Sequence, residues 1–212
     1  MRKYLICLMA VFAAVTFSAC GDDDPVQEEQ AATEQPDTPG EPDIPDTPSE
    51  GNDILVAYFS WGGTTQRMAQ QIVGLTGADL FRIEPVTPYP TEYTPCTEVA
   101  LEELNNNARP EINDTIAPET WEKYDTVFIG CPVWWHTTPM IICTFAESYD
   151  FSGKTVIPFC TYASTYRDET LARIAELTAG AGQHLDGLGL TGGRLNDESN
   201  VDNWLRDIGI IE

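Results

Sequence analysis

Positive charge is scarce in this chain. Eleven Lys and Arg stand against 34 Asp and Glu, a formal net charge of −23 over 212 residues. A surface that holds nucleic-acid phosphates needs the cations withheld here, so DNA and RNA are excluded as partners. Such acidity favours solubility and basic protein partners. Histidine occurs only twice, at His136 and His184, and the six cysteines form no C-x-x-C pair and no Cys/His spacing suited to zinc. No Ser/His/Asp set stands out, and no pair of carboxylates separates itself from the abundant acids. The longest apolar run, residues 5–17, is too short for a comfortable membrane span.

That run belongs to an export signal over residues 1–20. Arg2 and Lys3 supply the positive start and Phe17-Ser18-Ala19-Cys20 the end. The arrangement resembles a bacterial lipoprotein signal, which implies lipidation of Cys20 and anchoring to a membrane through the N-terminus. An ordinary secretory peptide with an incidental Cys20 is the alternative. Gly21-Asp22-Asp23-Asp24 resembles the surface-export signals of Bacteroidetes-type lipoproteins. The implied location is the periplasmic or cell-surface face of the outer membrane.

Residues 21–52 hold six prolines, eleven acids and no Lys or Arg. They cannot bury enough apolar surface to offset their ordering entropy, so a semi-extended disordered tether is expected. Removing its eleven acids and the two bases of the signal leaves −14 for residues 53–212. Four cysteines fall there. Cys131 and Cys160 each end an apolar run; buried free thiols are expected, with a disulfide between them as the other possibility.

Residues 53–212 read as one α/β domain. Ile54-Leu-Val-Ala-Tyr-Phe59 is an uncharged run suited to a strand buried on both faces. A glycine and hydroxyl turn follows, then Met68, Ile72, Val73 and Leu75 at helical spacing. Residues 79–85 alternate as a half-buried strand, 91–108 suit a helix, and 111–120 read as a connector. Strands are expected over 124–130, 154–160 and 184–190, with helices over 140–149, 168–179 and around 201–208. Strands alternating with helices call for a parallel sheet covered on both sides.

In such sheets ligands bind beyond the carboxyl ends of the strands, where strand order reverses. Three loops converge there: Ser60-Trp61-Gly62-Gly63-Thr64-Thr65, Pro132-Val133-Trp134-Trp135-His136, and Thr161-Tyr162-Ala163-Ser164-Thr165. The first aims backbone N–H groups, hydroxyls and a helix dipole at one point, as a phosphate requires, although an ordinary βα turn has the same composition. The second offers flat apolar surface and the third hydroxyls.

The stretches YFSWGGTT, IGCPVWWHTTP and YDFSGKTVIPFCTYAS, in this order and spacing, resemble the bacterial flavodoxin-like family, as does the tail GLGLTGGRL…VDNWLRDIGI. The resemblance covers the chain from about Asp53 to its end. It implies a doubly wound five-stranded parallel sheet of order 2-1-3-4-5 and non-covalently bound FMN. By it, Ser60, Gly62, Gly63, Thr64 and Thr65, with Trp61 among them, hold the phosphate. Pro132, Val133, Trp134 and Trp135 line the flavin, with one tryptophan at most stacked on it. Thr161, Tyr162, Ala163 and Ser164 close over the other edge. His136 is expected as a hydrogen-bond donor in its loop, and His184, at the start of a strand, as structural. Two departures stand out. Gly62-Gly63-Thr64 replaces the usual Gly-Asn, and Tyr162 adds bulk where glycine is common.

The implied role is extracytoplasmic electron transfer with a redox partner protein or a small-molecule acceptor. Two other roles fit the same fold: an FMN-dependent oxidoreductase of quinones or nitro compounds, and a surface binding module without flavin.

Overall fold

The computed structural model describes residues 53–212; the expected export signal, Cys20 and the expected acidic tether lie outside the described residues. Strands β1 (Ile54–Tyr58), β2 (Asp79–Arg82), β3 (Thr126–Pro132) and β4 (Thr155–Thr161) run parallel in the spatial order β2-β1-β3-β4. Two short strands, β5 (Gln183–His184) and β6 (Leu188–Leu190), both pair with β4, completing the expected 2-1-3-4-5 order.

Helices cover both faces, and the two-residue period of the strands decides which side chains each face receives. Leu55, Ala57, Val127, Ile129, Cys131 and Val156 meet Ile141, Ile142 and Phe145 of α4 (Met140–Ser148) and Ile174 of α5 (Arg167–Leu177). Val56, Tyr58, Phe128, Ile157 and Phe159 meet Met68, Ala69 and Ile72 of α1 (Thr64–Thr76) and Val201, Trp204 and Leu205 of α6 (Ser199–Asp207). A sheet apolar on both faces is stable only between two helical layers, so the uncharged runs of β1, β3 and β4 dictate this arrangement. Gly130 is required within it, because a Cβ there would lie 1.9 Å from the Phe159 ring.

The fifth strand departs from the continuous 184–190 expected. Val156 pairs with His184 but Phe159 with Leu188, so three residues of the edge strand face two of β4. The carbonyls of Lys154 and Val156 accept from Gln183 and Leu185, which turns Pro158, two residues on, toward the same neighbour. Pro158 has no N–H to give, and the edge strand bulges past it. Gly187 fits the bulge because a Cβ would lie 2.5 Å from the Pro158 carbonyl oxygen.

β2 is also shorter than expected. After it, the chain makes an isolated antiparallel bridge, Pro85 to Ile112, enclosing α2 (Tyr93–Asn105). The stretch expected as a connector contains a one-turn helix, α3 (Pro118–Trp121), opened by proline at its first position.

At the amino ends of the strands the polar groups are tied off. Lys154 is buried and its Nζ donates to the carbonyls of Trp121 and Tyr124, 5.1 Å from the centroid of the Trp121 ring. The Trp121 indole donates to Asp150 O at 2.8 Å, and the Tyr124 hydroxyl to Asp79 Oδ2 at 2.9 Å. Burial lowers the Lys154 pKa against the pull of Asp125 and Asp150. Among the described residues no helix is long and apolar enough to cross a membrane.

Candidate functional site

The first loop leaves β1 at Phe59 and enters α1 at Thr64. Gly63 caps the helix at φ 82°, a left-handed conformation that favours glycine, and no side chain caps the first turn. The first N–H groups of α1 therefore point outward without a side-chain acceptor, beside the positive end of the helix dipole. Gly62 and Gly63 face open space. Ser60 is 6% exposed and its Oγ has no hydrogen-bond partner. A buried hydroxyl left without a partner costs about 1–3 kcal/mol, which a ligand oxygen can offset. Thr65 differs from the expectation of a free hydroxyl. It is buried and its Oγ1 lies 2.8 Å from Thr161 Oγ1, joining the first loop to the third.

The second loop is a tight hairpin. Trp134 N–H donates to Thr137 O and Thr137 N–H to Trp134 O, both at 3.0 Å. Its two tip residues, Trp135 and His136, have φ of 44° and 69°. Such turns favour Asn-Gly, and two bulky residues there are strained. The turn separates the two indoles. Trp134 faces inward, its ring edge-to-face with Phe59 at 5.2 Å and Tyr89 at 5.0 Å. Trp135 is 41% exposed, and its indole N–H donates to Thr97 O on α2 at 2.9 Å. Trp135 is thus the more open of the pair. His136 does not take the hydrogen-bonding role expected of it; it stacks on Tyr166, with ring centroids 3.8 Å apart. Tyr166 is itself left-handed, at φ 64°. Behind the hairpin, Thr138 Oγ1 is buried without a partner beside a cavity of about 10 Å³, the size of one water.

The third loop follows β4. Val133 N–H donates to Thr161 O and Tyr162 N–H to Leu190 O, so the second, third and fourth loops are laced by backbone. Thr161 is buried; Tyr162 is half-buried, and Ala163 and Ser164 are exposed. Beside them, Tyr162, Ser164, Thr165 and Tyr166 line one side of an open depression of about 620 Å³. The fourth loop, residues 191–193, comes close to the first, a Cβ on Gly192 lying 3.7 Å from Thr64 Cγ2. All three loops thus lie at one end of the sheet.

Residues 85–105 form a wall beside these loops, built from the long crossover that follows β2. The Trp61 indole donates to Pro90 O at 2.8 Å, as Trp135 does to Thr97 O, so both exposed tryptophans latch the wall to the loops. Within it, the Tyr89 hydroxyl donates to Glu103 Oε2 at 2.8 Å. Burial first, and Glu103 second, raise the Tyr89 pKa well above its usual value. Burial likewise raises Glu103, against the Tyr89 hydrogen bond. Nothing in the sequence around Pro85, Pro88 and Pro90 marks Tyr89 as a neighbour of Trp134.

The four cysteines are free and buried. Cys131 and Cys160 are adjacent in register, and burial holds Cys131 far up and Cys160 up at about 12, so neither is a thiolate at neutral pH. Cys96 is raised to about 11, by burial and then by Glu103. His184 lies at the opposite end of the sheet, its Nε2 2.9 Å from Thr178 Oγ1, a structural role. Among the described residues no group of three His, Cys, Asp or Glu is placed to hold a metal ion.

This site sits on a recognisable frame. A flavodoxin family model matches residues 53–208. Among solved structures, a candidate flavoprotein from Bacteroides eggerthii is 34% identical, with a TM-score of 0.64 over 74% of this chain and 97% of that one. One from Bacteroides uniformis is 31% identical, with a TM-score of 0.65 over 74% and 99%. A flavoprotein in complex with FMN from Lactobacillus acidophilus is 25% identical, with a TM-score of 0.59 over 72% and 98%. No curated protein matches significantly. The match to the family model, the sheet order and the loops at its carboxyl ends agree: the chain belongs to the flavodoxin family.

Proposed function

We propose that the protein binds FMN without a covalent link and passes electrons. The observation that carries this reading is the buried Ser60 Oγ without a partner, beside the uncapped first turn of α1 and the open glycines 62 and 63. That is a donor set in want of an anion, and a phosphate monoester fits it. The FMN held by the Lactobacillus relative supports the choice of ligand. Ser60, the first-turn N–H groups and Thr64 are the groups suited to the phosphate, with Gly62 and Gly63 leaving room. Trp135 is the indole suited to the ring, and Tyr162 and Ser164 of the third loop are suited to its polar edge. When bound, a flavin supplies reversible electron transfer; the chain's task is to orient the ring, keep water from it and set the surrounding charge. The net charge of −14 on residues 53–212 disfavours added negative charge and so lowers the potential.

The experiment is direct. The full chain is mixed with FMN, desalted and scanned in the visible region, with flavin fluorescence followed in parallel. Retained absorbance bands and quenching are expected; colourless protein with unquenched flavin defeats the proposal. Stopped-flow mixing of the flavin-loaded protein with NADPH then separates a carrier, which is not reduced at a useful rate, from an oxidoreductase.

We also propose that Cys20 carries a lipid and holds the domain on the extracytoplasmic side, supported by Phe17-Ser18-Ala19-Cys20 and the acidic tether. Cys20→Ala is expected to move the protein from the membrane to the soluble fraction. Unchanged membrane retention overturns the anchor.

A further inference from the structure

Residues 53–212 carry nine Lys and Arg. Five of the arginines, at 82, 109, 167, 173 and 206, are paired with carboxylates, and Lys154 is buried against backbone carbonyls. Arg194 donates to Asn200 Oδ1 and lies close enough to Asp197 to lower its pKa. Of the rest, Arg67 stands one helical turn from the glycine loop, its N–H donating to Gly63 O. Among the described residues it has no carboxylate partner. Its guanidinium rests on two long hydrogen bonds from the same nitrogen, to Gly192 O and to Asn196 Oδ1, each 3.3 Å.

That position matters because of helix geometry. Side chains lean toward the N-terminus of their helix, so the head group of Arg67 lies level with the loop preceding α1. The contact with Gly192 confirms it, since Gly192 adjoins Thr64. In a domain this acidic, a cation free of carboxylates is placed beside a loop whose other groups are neutral hydroxyls and N–H groups.

We propose that Arg67 swings from Gly192 and Asn196 onto the ligand phosphate and is the residue by which the protein prefers a phosphorylated flavin over the same ring without phosphate. This rests on the flavin reading above. A phosphate monoester carries close to two negative charges at neutral pH, and the domain's charge opposes its approach. Ser60 and the helix N-terminus supply dipoles; Arg67 supplies the full charge. Its two bonds at 3.3 Å are weak and readily exchanged for a charge-assisted one to a phosphate oxygen.

The test compares FMN with riboflavin, which differ only in the phosphate, by fluorescence quenching with wild type, Arg67→Ala and Arg67→Lys. Arg67→Ala is expected to weaken FMN about tenfold and leave riboflavin unchanged, with Arg67→Lys recovering most of the loss. The affinity of Arg67→Ala for FMN should also rise with salt more steeply than that of wild type, because the remaining long-range term is repulsive and screened. Unchanged FMN affinity in Arg67→Ala overturns the proposal and leaves the flavin reading intact. Equal loss for FMN and riboflavin also overturns it, by showing a general disturbance of the loop. Failure of wild type to bind either flavin overturns the flavin reading itself.

Discussion

At the amino ends of the strands, Lys154, Trp121, Tyr124 and Asp79 are buried or half-buried and each polar group described there has its partner. At the carboxyl ends, Ser60 and Thr138 hold buried hydroxyls without one, and Trp135, His136 and Tyr166 hold left-handed backbone. Both ends belong to the same sheet and are built from the same residue types. A fold has no use for orphaned hydroxyls and strained aromatics, and natural chains carry them where a ligand or partner completes them. The contrast therefore sets a tied-off end of the sheet against an end suited to the proposed ligand, and the variants below test that division.

Lys154→Ala gives the largest effect. It leaves the buried Tyr124 carbonyl without its donor, the Trp121 carbonyl with only the Tyr124 N–H, and a space above Trp121, costing about 3 kcal/mol in urea denaturation. FMN affinity, extrapolated to the folded protein, should stay within about twofold. A large loss of affinity with little loss of stability would break the division between the two ends.

The adjacent tryptophans divide the same way. Trp134→Ala is expected to cost about 2–3 kcal/mol of stability, since its ring fills the space between Phe59 and Tyr89. Trp135→Ala should cost about 1 kcal/mol of stability and weaken FMN by about 1–2 kcal/mol. Denaturation and flavin titration on both variants check this; reversed roles would refute the assignment made from exposure.

Each end also holds a tyrosine that donates to a carboxylate, Tyr124 to Asp79 and Tyr89 to Glu103. Burial first, then Asp79, raise the Tyr124 pKa above its usual value; burial, then Glu103, raise that of Tyr89. In the unfolded chain both lose their protons near pH 10, while the folded chain keeps them. The stabilisation is therefore complete below about pH 10 and is lost as pH rises above it, at about 1.4 kcal/mol per unit for each group. Tyr124→Phe and Tyr89→Phe should each flatten the alkaline limb of stability against pH. An unchanged slope in either would show that its hydroxyl ionises normally.

How much of this was legible in the sequence follows from what each feature depends on. The strands β1, β3 and β4 were readable because burial on two faces leaves an uncharged run. The break between β5 and β6 was not, because it depends on which neighbour Pro158 faces, and that is a matter of register. The three loops were readable as a set from their place after the strands. Their internal division of labour was hidden: Thr65 spent on Thr161, Trp134 turned inward and His136 stacked on Tyr166, thirty residues away, all depend on turn geometry and tertiary neighbours. The short helix α3 was masked by its connector-like composition, though Pro118 at its start was a signal.

The smallest effect sharpens the comparison most. His136 sits at φ 69°, where a side chain costs about 1 kcal/mol relative to glycine, and its stack on Tyr166 is an exposed aromatic contact of about the same size. His136→Gly removes both, so net stability should stay within about 0.5 kcal/mol of wild type in urea denaturation. A loss above about 2 kcal/mol would mean the histidine holds the hairpin together and belongs with the stabilising residues of the opposite end. Near-neutrality instead means the fold does not need histidine at this tip, and that its strain is balanced locally. The hairpin then presents His136 and Trp135 toward whatever occupies the loops, and the cost of doing so is met within the turn.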